Sequence, residues 1–422
     1  MKKILIITYY WPPSGGPGVQ RVLNFCKFLP EFGWEPVVLT VENGEFPCYD
    51  DTLSVGNNNI ITYRSNSISF YNLFKRITGK SSIPTYQLSK QKNESLFVKL
   101  SRWIRYNLII PDGRVGWYPY AVKKAYDIVK DNDIGLIFSS GPPHSVHLIA
   151  KRISRKSLIP WVADFRDPWS DRFVYEENTR MRLTQLIDKY LERSVLFGAT
   201  RIITVSPGFR YLLSHKNEFT NKINIVYNGY DESDFDSIDK ASIGTDNTII
   251  IGHMGTLSKS QCPTALFRAL KALRKKGQRF KYQLNLIGNT HPDILNDLAN
   301  YDLTQISIHY GYLPHVKALK ILSKSTFLFL VIPKTSKNSG HIPGKIFEYI
   351  RLKIPIILIG PPDGDAASII RKTHSGFAFD YDDVDSIKKI LTSNPTIQPK
   401  DYQVFNRRNL TKQLVAIFNA IV

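Results

Sequence analysis

Short runs of aliphatic and β-branched residues alternate with amphipathic stretches along the first half of the chain. The runs are Ile4-Leu5-Ile6-Ile7, Pro36-Val37-Val38-Leu39-Thr40, Leu136-Ile137-Phe138, Trp161-Val162-Ala163 and Arg201-Ile202-Ile203-Thr204-Val205. A strand that is apolar at every position is buried on both faces, and the amphipathic stretches between such strands are the helices that cover them. Helices are expected from about Gly18 to Phe32, from about His144, and from about Arg180 to Leu196. The pattern predicts a doubly wound α/β domain built on a parallel sheet.

Between Asn228-Gly229 and Asn247 the chain turns polar and acidic, with no long apolar run, and a domain boundary is expected there. A second alternating series follows. Its strands are Thr248 to Ile251, Gln283 to Gly288, Ile306 to Ile308, Phe327 to Ile332, Ile356 to Ile359 and Phe377 to Phe379. Its helices start near Pro263, Pro314, Lys345 and Ala366. A chain of 422 residues exceeds what one core usually supports. The expected architecture is therefore two Rossmann-like domains, 1–240 and 241–402, facing across a cleft, with a C-terminal helix in 403–422 packing back towards the first. In open α/β sheets, ligands bind outside the carboxyl ends of the strands.

Composition narrows the partners. The formal charge is +20, from 56 Lys and Arg against 36 Asp and Glu, which favours nucleic acid, a phosphorylated substrate or an acidic membrane surface. No nucleic-acid recognition motif appears. Residues 71–130 hold twelve basic residues against Glu94, Asp112 and Asp127, interleaved with Phe70, Tyr71, Leu73, Phe74, Leu96, Phe97, Leu100, Trp103 and Ile104. Lys99, Arg102, Trp103 and Arg105 are the expected core of an interfacial patch on anionic lipid, an ordinary packed helix with solvated cations being the alternative. The cysteines, Cys26, Cys48 and Cys262, are odd in number, widely spaced and outside any metal-ligand pattern, which fits a reducing cytoplasm. The opening Lys2-Lys3-Ile4-Leu5-Ile6-Ile7 stops too soon to be a signal h-region, and no apolar run is long enough to span a bilayer.

The densest chemistry lies in His341-Ile342-Pro343-Gly344-Lys345-Ile346-Phe347-Glu348-Tyr349. Pro343 opens a short helix, and residues three apart on a helix face the same way. Lys345 and Glu348 thus present a cation beside an acceptor-only carboxylate, as a nucleotide diphosphate sugar requires for its phosphates and its ribose hydroxyls. The alternative is a surface pair placed for helix stability. Gly344, and Gly364-Asp365 after the next strand, join the same donor-side set. Gly255, Thr256 and Lys259 end another strand in a composition suited to a diphosphate lying against backbone N–H groups. Gly15-Gly16 leads from the first strand straight into a helix, where an anion is favoured, unless it is a plain turn.

Asp164, Arg166 and Asp167 follow a buried strand at the rim where function collects, bracketed by Pro168-Trp169. They either align an acceptor and screen developing charge, or pair locally to cap the loop. His144 and His147 stand at a second rim. For His147 a structural hydrogen bond is the expectation, whereas His144 stays open as an acceptor-side candidate.

The ordered series of the Gly15-Gly16 loop, Pro142-Pro143-His144, Asp164-Phe165-Arg166-Asp167-Pro168-Trp169, Tyr227-Asn228-Gly229-Tyr230-Asp231, Gly311-Tyr312-Leu313-Pro314-His315 and Lys345-Ile346-Phe347-Glu348-Tyr349 resembles the retaining GT-B glycosyltransferases of family 4, which build bacterial surface polysaccharides. The resemblance implies a donor held by the second domain, with Glu348 on the ribose, Lys345 and the Gly255 loop near the diphosphate, and Gly15-Gly16 closing over it. Arg166 falls about where many relatives carry a His beside the reacting sugar, so Arg166, Asp167 and Lys345 are the implied catalytic residues. It further implies a metal-independent enzyme with no cofactor, a lipid-linked glycan acceptor, and a peripheral position on the cytoplasmic face of the inner membrane. Two departures stand out. Gly340 occupies the place of a Glu that relatives use on the donor sugar, and Thr256 and Gln261 sit where an Arg and a Lys are usual. A catalytically silent scaffold in a polysaccharide assembly complex is the alternative these departures motivate.

Overall fold

The computed structural model describes the chain except residues 47, 51–52, 54–59, 70–95, 171–179, 215–216, 239–246 and 275–279. The expected basic and aromatic positions within 70–95 lie outside the described residues. The chain divides into two compact units, Met1–Tyr227 with Arg408–Val422, and Asn228–Arg407.

The first unit is a seven-stranded sheet in the order β3-β2-β1-β4-β5-β6-β7. The strands are β1 (Lys2–Ile7), β2 (Trp34–Val41), β3 (Ile61–Ser65), β4 (Ile134–Gly141), β5 (Trp161–Phe165), β6 (Arg201–Thr204) and β7 (Ile223–Ile225). Every pairing is parallel. Order reverses between β1 and β4, the crevice position at which doubly wound sheets open. The unbroken apolar runs follow from burial on two sides, because side chains alternate along a strand. Leu5, Ile7, Val37 and Ile137 enter one core with Trp117, Trp161 and Trp169. Ile4, Ile6, Val38 and Phe138 enter the opposite one, which the C-terminal helix closes with Leu410, Leu414, Val415 and Phe418.

Six helices of this unit matter below or complete the winding: α1 (Pro17–Phe28), α2 (Leu96–Asn107), α3 (Tyr118–Asp131), α4 (Ser145–Ser157), α5 (Arg182–Gly198) and α6 (Pro207–Leu213). The helix expected to run to Phe32 changes to a tighter 3-10 turn over Leu29–Phe32, ending on Gly33. Pro30 lacks the N–H an α-helix interior needs, and its ring clashes with the preceding turn.

The second unit is a six-stranded parallel sheet ordered β10-β9-β8-β11-β12-β13. Its strands are β8 (Thr248–Met254), β9 (Lys281–Ile287), β10 (Ser307–Gly311), β11 (Phe327–Val331), β12 (Ile356–Ile359) and β13 (Gly376–Phe379). Around it wind α7 (Thr264–Leu273), α8 (Pro292–Asn300), α9 (His315–Leu322), α10 (Lys345–Leu352), α11 (Asp365–Lys372) and α12 (Val384–Ser393). One core gathers Ile249, Ile251, Leu284, Leu286, Phe327, Phe329, Ile357 and Ile359.

The polar stretch after Asn228 groups with the second unit rather than the first. Tyr230 N–H donates to the Phe405 carbonyl at 3.0 Å, the Arg407 N–H donates back to Tyr230 at 2.9 Å, and Arg351 Nε reaches Glu232 at 2.7 Å. Local polarity marked the crossing but not which unit the segment joins.

All six tryptophans (11, 34, 103, 117, 161 and 169) belong to the first unit, so their fluorescence follows that unit alone. Phe418 is fully buried, edge-on to Trp34 at 5.5 Å and to Phe138 at 5.9 Å. Phe418→Ala is expected to lower the stability of the first unit by about 3–5 kcal/mol, read as an earlier tryptophan-monitored urea midpoint.

Candidate functional site

In the second unit the candidates converge on the carboxyl end of β8 and the start of α10. Tyr349 ties the two together, its hydroxyl accepting the Met254 N–H at 2.7 Å. Next along the chain, Gly255 takes φ 105°, and a Cβ there would lie 2.7 Å from Lys345 Nζ. Only glycine combines that backbone with so close an approach.

Lys345 Nζ stands 3.2 Å from His253 Nε2. His253 is buried, and its Nδ1 lies 3.0 Å from the Phe329 carbonyl. A carbonyl only accepts, so Nδ1 carries the proton and Nε2 accepts from the lysine. Burial first, and the Lys345 charge second, hold this imidazole neutral, well below its usual pKa. Burial likewise pulls the Lys345 ammonium down to about 8, with Glu348 working against it. At pH 7 the lysine remains charged, with a neutral partner on one of its three donors. No described residue takes the others.

Glu348 is 6% exposed, and its Oε1 lies 3.4 Å from His315 Nε2 at the start of α9. His315 also lies 3.5 Å from Asp234. Burial would lower the His315 pKa, but the carboxylates of Glu348 and Asp234 outweigh it and lift it to about 9. The imidazolium thus holds one Glu348 oxygen. No described residue claims the other.

The remaining donor-side candidates are placed less centrally. Thr256 is exposed, and Lys259 points outward to an ion pair with Asp293 at 2.8 Å. Gly344 precedes α10 with ordinary helical angles. Gly364 is buried against Ser339, whose carbonyl accepts the Asp365 N–H at 2.8 Å. Asn338 pins the loop carrying Gly340 through Pro333 and Tyr381, both at 2.8 Å.

In the first unit the charges at the ends of β4 and β5 face inward. Asp164 is fully buried and takes Arg21 Nε at 3.0 Å, Arg21 Nη2 at 2.9 Å and the Ser140 hydroxyl at 2.7 Å. Arg21 also donates to the carbonyls of Val226 at 2.9 Å and Tyr227 at 2.7 Å. Arg166 donates to Gly141 at 3.1 Å and Pro142 at 2.6 Å, and lies so close over Gly18 that a Cβ there would overlap its guanidinium. Asp167 follows on the same loop, half-buried. Gly15 is joined to Cys48 through its N–H at 2.9 Å, and Gly16 caps α1 with φ 100°. His144, the acceptor-side candidate, is 1% exposed and stacks on Trp169 at 4.9 Å with both ring nitrogens sealed from solvent. His147 is the structural histidine expected: Trp161 donates to Ser139 Oγ at 2.8 Å, Ser139 lies 2.8 Å from His147 Nδ1, and burial pushes that ring down to about 3.

Arg21, His253 and His315 are the residues the sequence reading did not single out. The partner of Arg21 is 143 positions away, and no local spacing signals it. His253 and His315 stood within quoted motifs, but a histidine's role depends on what faces it.

A family model described as Glycosyltransferase Family 4 matches residues 85–234. No curated protein matches the chain in sequence. Among solved structures, Anabaena HepE in complex with UDP and glucose is similar, with TM-score 0.62, 13% identity and 100% of each chain covered. Sucrose-phosphate synthase of Thermosynechococcus elongatus gives 0.63 and 12%, covering 100% of this chain and 99% of its own. The lipopolysaccharide outer core galactosyltransferase WaaB, in its apo form, gives 0.60 and 14%, covering 99% and 100%. At these identities the likeness establishes the architecture, two Rossmann-like parallel sheets of the GT-B kind. The family match and the architecture together support a GT-B glycosyltransferase.

The His315 pairing is present in full below its ordinary pKa of 6.5 and is lost as pH rises through about 9. His315→Leu is expected to flatten the decline in the stability of the second unit across that window. The difference in slope amounts to on the order of 2–3 kcal/mol, measured by calorimetry against the parent chain.

Proposed function

We propose that this chain transfers a sugar, with retention of configuration, from a nucleotide diphosphate sugar to a hydroxyl of a lipid-linked glycan in the assembly of a surface polysaccharide. The observation that carries the reading is the pair on the first turn of α10. Lys345 holds an ammonium against the Gly255 backbone with a neutral partner, and Glu348 offers a carboxylate oxygen that no described residue takes. An ammonium so placed suits a pyrophosphate, and an acceptor-only carboxylate suits the two hydroxyls of a ribose. The complex of HepE with UDP and glucose, and the galactosyltransferase named above, are in keeping with that chemistry.

The chemistry is the breaking of the bond between the sugar anomeric carbon and a phosphate oxygen, and the forming of one from that carbon to the acceptor oxygen. Negative charge grows on the leaving phosphate, so a cation already in place lowers the barrier. The acceptor proton passes to the departing phosphate on the same face. No protein nucleophile and no metal ion are required by this route.

Thermal stabilisation by a panel of UDP-, GDP-, ADP- and dTDP-sugars is the direct test, since a ligand that binds only the native state raises apparent stability. Flat calorimetric traces across the panel would remove the enzyme reading and favour the silent scaffold that Gly340 suggests. With the stabilising donor in hand, Glu348→Ala is expected to weaken binding about tenfold to a hundredfold, as loss of a charge-assisted hydrogen bond does. Affinity should also fall as pH rises through about 8, where Lys345 loses its proton. Lys345→Met should bind weakly at every pH and abolish that dependence.

A further inference from the structure

We infer that α2 and α5 of the first unit form a face that docks on an anionic lipid surface. Helix α5 is built inside out as far as Glu192. Over that span the residues it buries at helical spacing are Thr184, Asp188 and Glu192, Val195 and Leu196 entering the core only near its end, whereas Leu183, Leu186, Ile187 and Tyr190 stand 37–72% exposed. An amphipathic helix covering a core normally shows the reverse. Single exposed apolar residues are ordinary, but a stripe of them at helical spacing is a binding surface.

Helix α2 contributes a second stripe, with Leu100, Trp103, Ile104 and the following Leu108 exposed by 37–59%. The two stripes meet at one corner. Asn107, ending α2, accepts the Met181 N–H on its side chain at 2.6 Å and the Thr184 hydroxyl on its carbonyl at 2.9 Å. Arg180 Nε reaches the Tyr106 carbonyl at 3.2 Å.

Charge selects the occupant. The acids of α5 are both turned inward, Asp188 to Arg180 and Trp169, Glu192 to Ser170. Helix α2 has none. Among the described residues the exposed charges on the two helices are Lys99, Arg105, Arg182, Lys189 and Arg193, all cations, with Arg193 paired to Glu218 at 3.0 Å. Apolar side chains ringed by cations, with no exposed acid among the described residues of either helix, suit lipid headgroups of negative charge. Arg102, expected in such a patch, is only 9% exposed and faces inward, and α5 supplies what it does not.

Trp103 makes the inference testable, because it is 41% exposed while the other five tryptophans are at most 4% exposed. The full chain is mixed with vesicles of phosphatidylcholine alone or with phosphatidylglycerol added. Co-sedimentation and a blue shift of emission are expected with the anionic vesicles, both weakened by salt. Trp103→Phe should remove the shift while the chain still sediments. Leu186→Glu with Ile187→Glu should weaken sedimentation at least about tenfold, and Lys189→Gln about fivefold. These side chains are solvent-exposed, so the tryptophan-monitored urea midpoint should stay unchanged. Equal binding to neutral vesicles, or none to either, would overturn the proposal. So would concentration-dependent self-association that the Leu186/Ile187 double variant abolishes, which would assign the face to a second copy of the chain. None of these readouts involves the nucleotide, so the proposal stands or falls apart from the proposed reaction.

Discussion

A lysine kept charged below the surface is the constraint around which the second unit is arranged. Withdrawing an ammonium from water costs several kcal/mol unless something meets it, and the usual answer is a carboxylate in contact. Here the contact is an imidazole that burial first, and the Lys345 charge second, keep neutral. Its Nδ1–H donates to the Phe329 carbonyl, a tautomer that turns the Nε2 lone pair towards Lys345. A carboxylate in that place would cancel the charge and fill the space beside Gly255. An imidazole satisfies one donor and leaves the positive centre intact for an anion. Glu348 is handled in a complementary way, held by His315 through one oxygen only. Both charges of the pair are thus oriented without being consumed.

The first unit shows the opposite treatment. Arg21 and Asp164 meet as a forked, fully buried pair, and Arg21 uses further donors on the chain leaving β7. Arg166 is occupied by two carbonyls at the end of β4. Buried pairs of this kind often add little net stability, but removing one partner leaves an uncompensated charge. Their structural work is to fix backbone: the strand ends at Gly141 and Phe165 and the segment at Val226-Tyr227 are held in one arrangement. Asp164 is engaged by Arg21 of α1 and Arg166 by backbone carbonyls, so these hydrogen bonds do not form the local Arg–Asp pair weighed from the sequence.

How much of this was legible follows from which signals are local. Unbroken apolar runs such as Ile4-Leu5-Ile6-Ile7 and Phe327 to Ile332 located buried parallel strands, because two-faced burial leaves no other pattern. The spacing of Lys345 and Glu348 placed both on one turn of α10. What stayed hidden depended on distant partners. Asp164 is hydrogen-bonded across 143 positions, and Glu348 is ion-paired to a histidine on another helix. Helix α5 was located from its periodicity, yet periodicity alone does not say which stripe faces the core. It assigned the apolar stripe inward, and the structure turns out Leu183, Leu186, Ile187 and Tyr190 while burying Val195 and Leu196.

The reversal in α5 has a physical origin in the loop after β5. Trp169 is completely buried and must satisfy its indole N–H, which it donates to Asp188 at 3.2 Å. Ser170 follows and is bound by Glu192 through both its N–H and its hydroxyl. A loop at the carboxyl end of a central strand is thus anchored from beneath by two carboxylates one helical turn apart. Burial raises the Asp188 pKa while Arg180 draws it back, so the acid keeps a partner inside. A helix that supplies acids to the interior at every fourth position has only its remaining faces for apolar residues. Leu183, Leu186, Ile187 and Tyr190 are therefore displaced outward by the same requirement that holds the Asp167–Trp169 loop. The surface stripe and the loop anchor are two sides of a single helix.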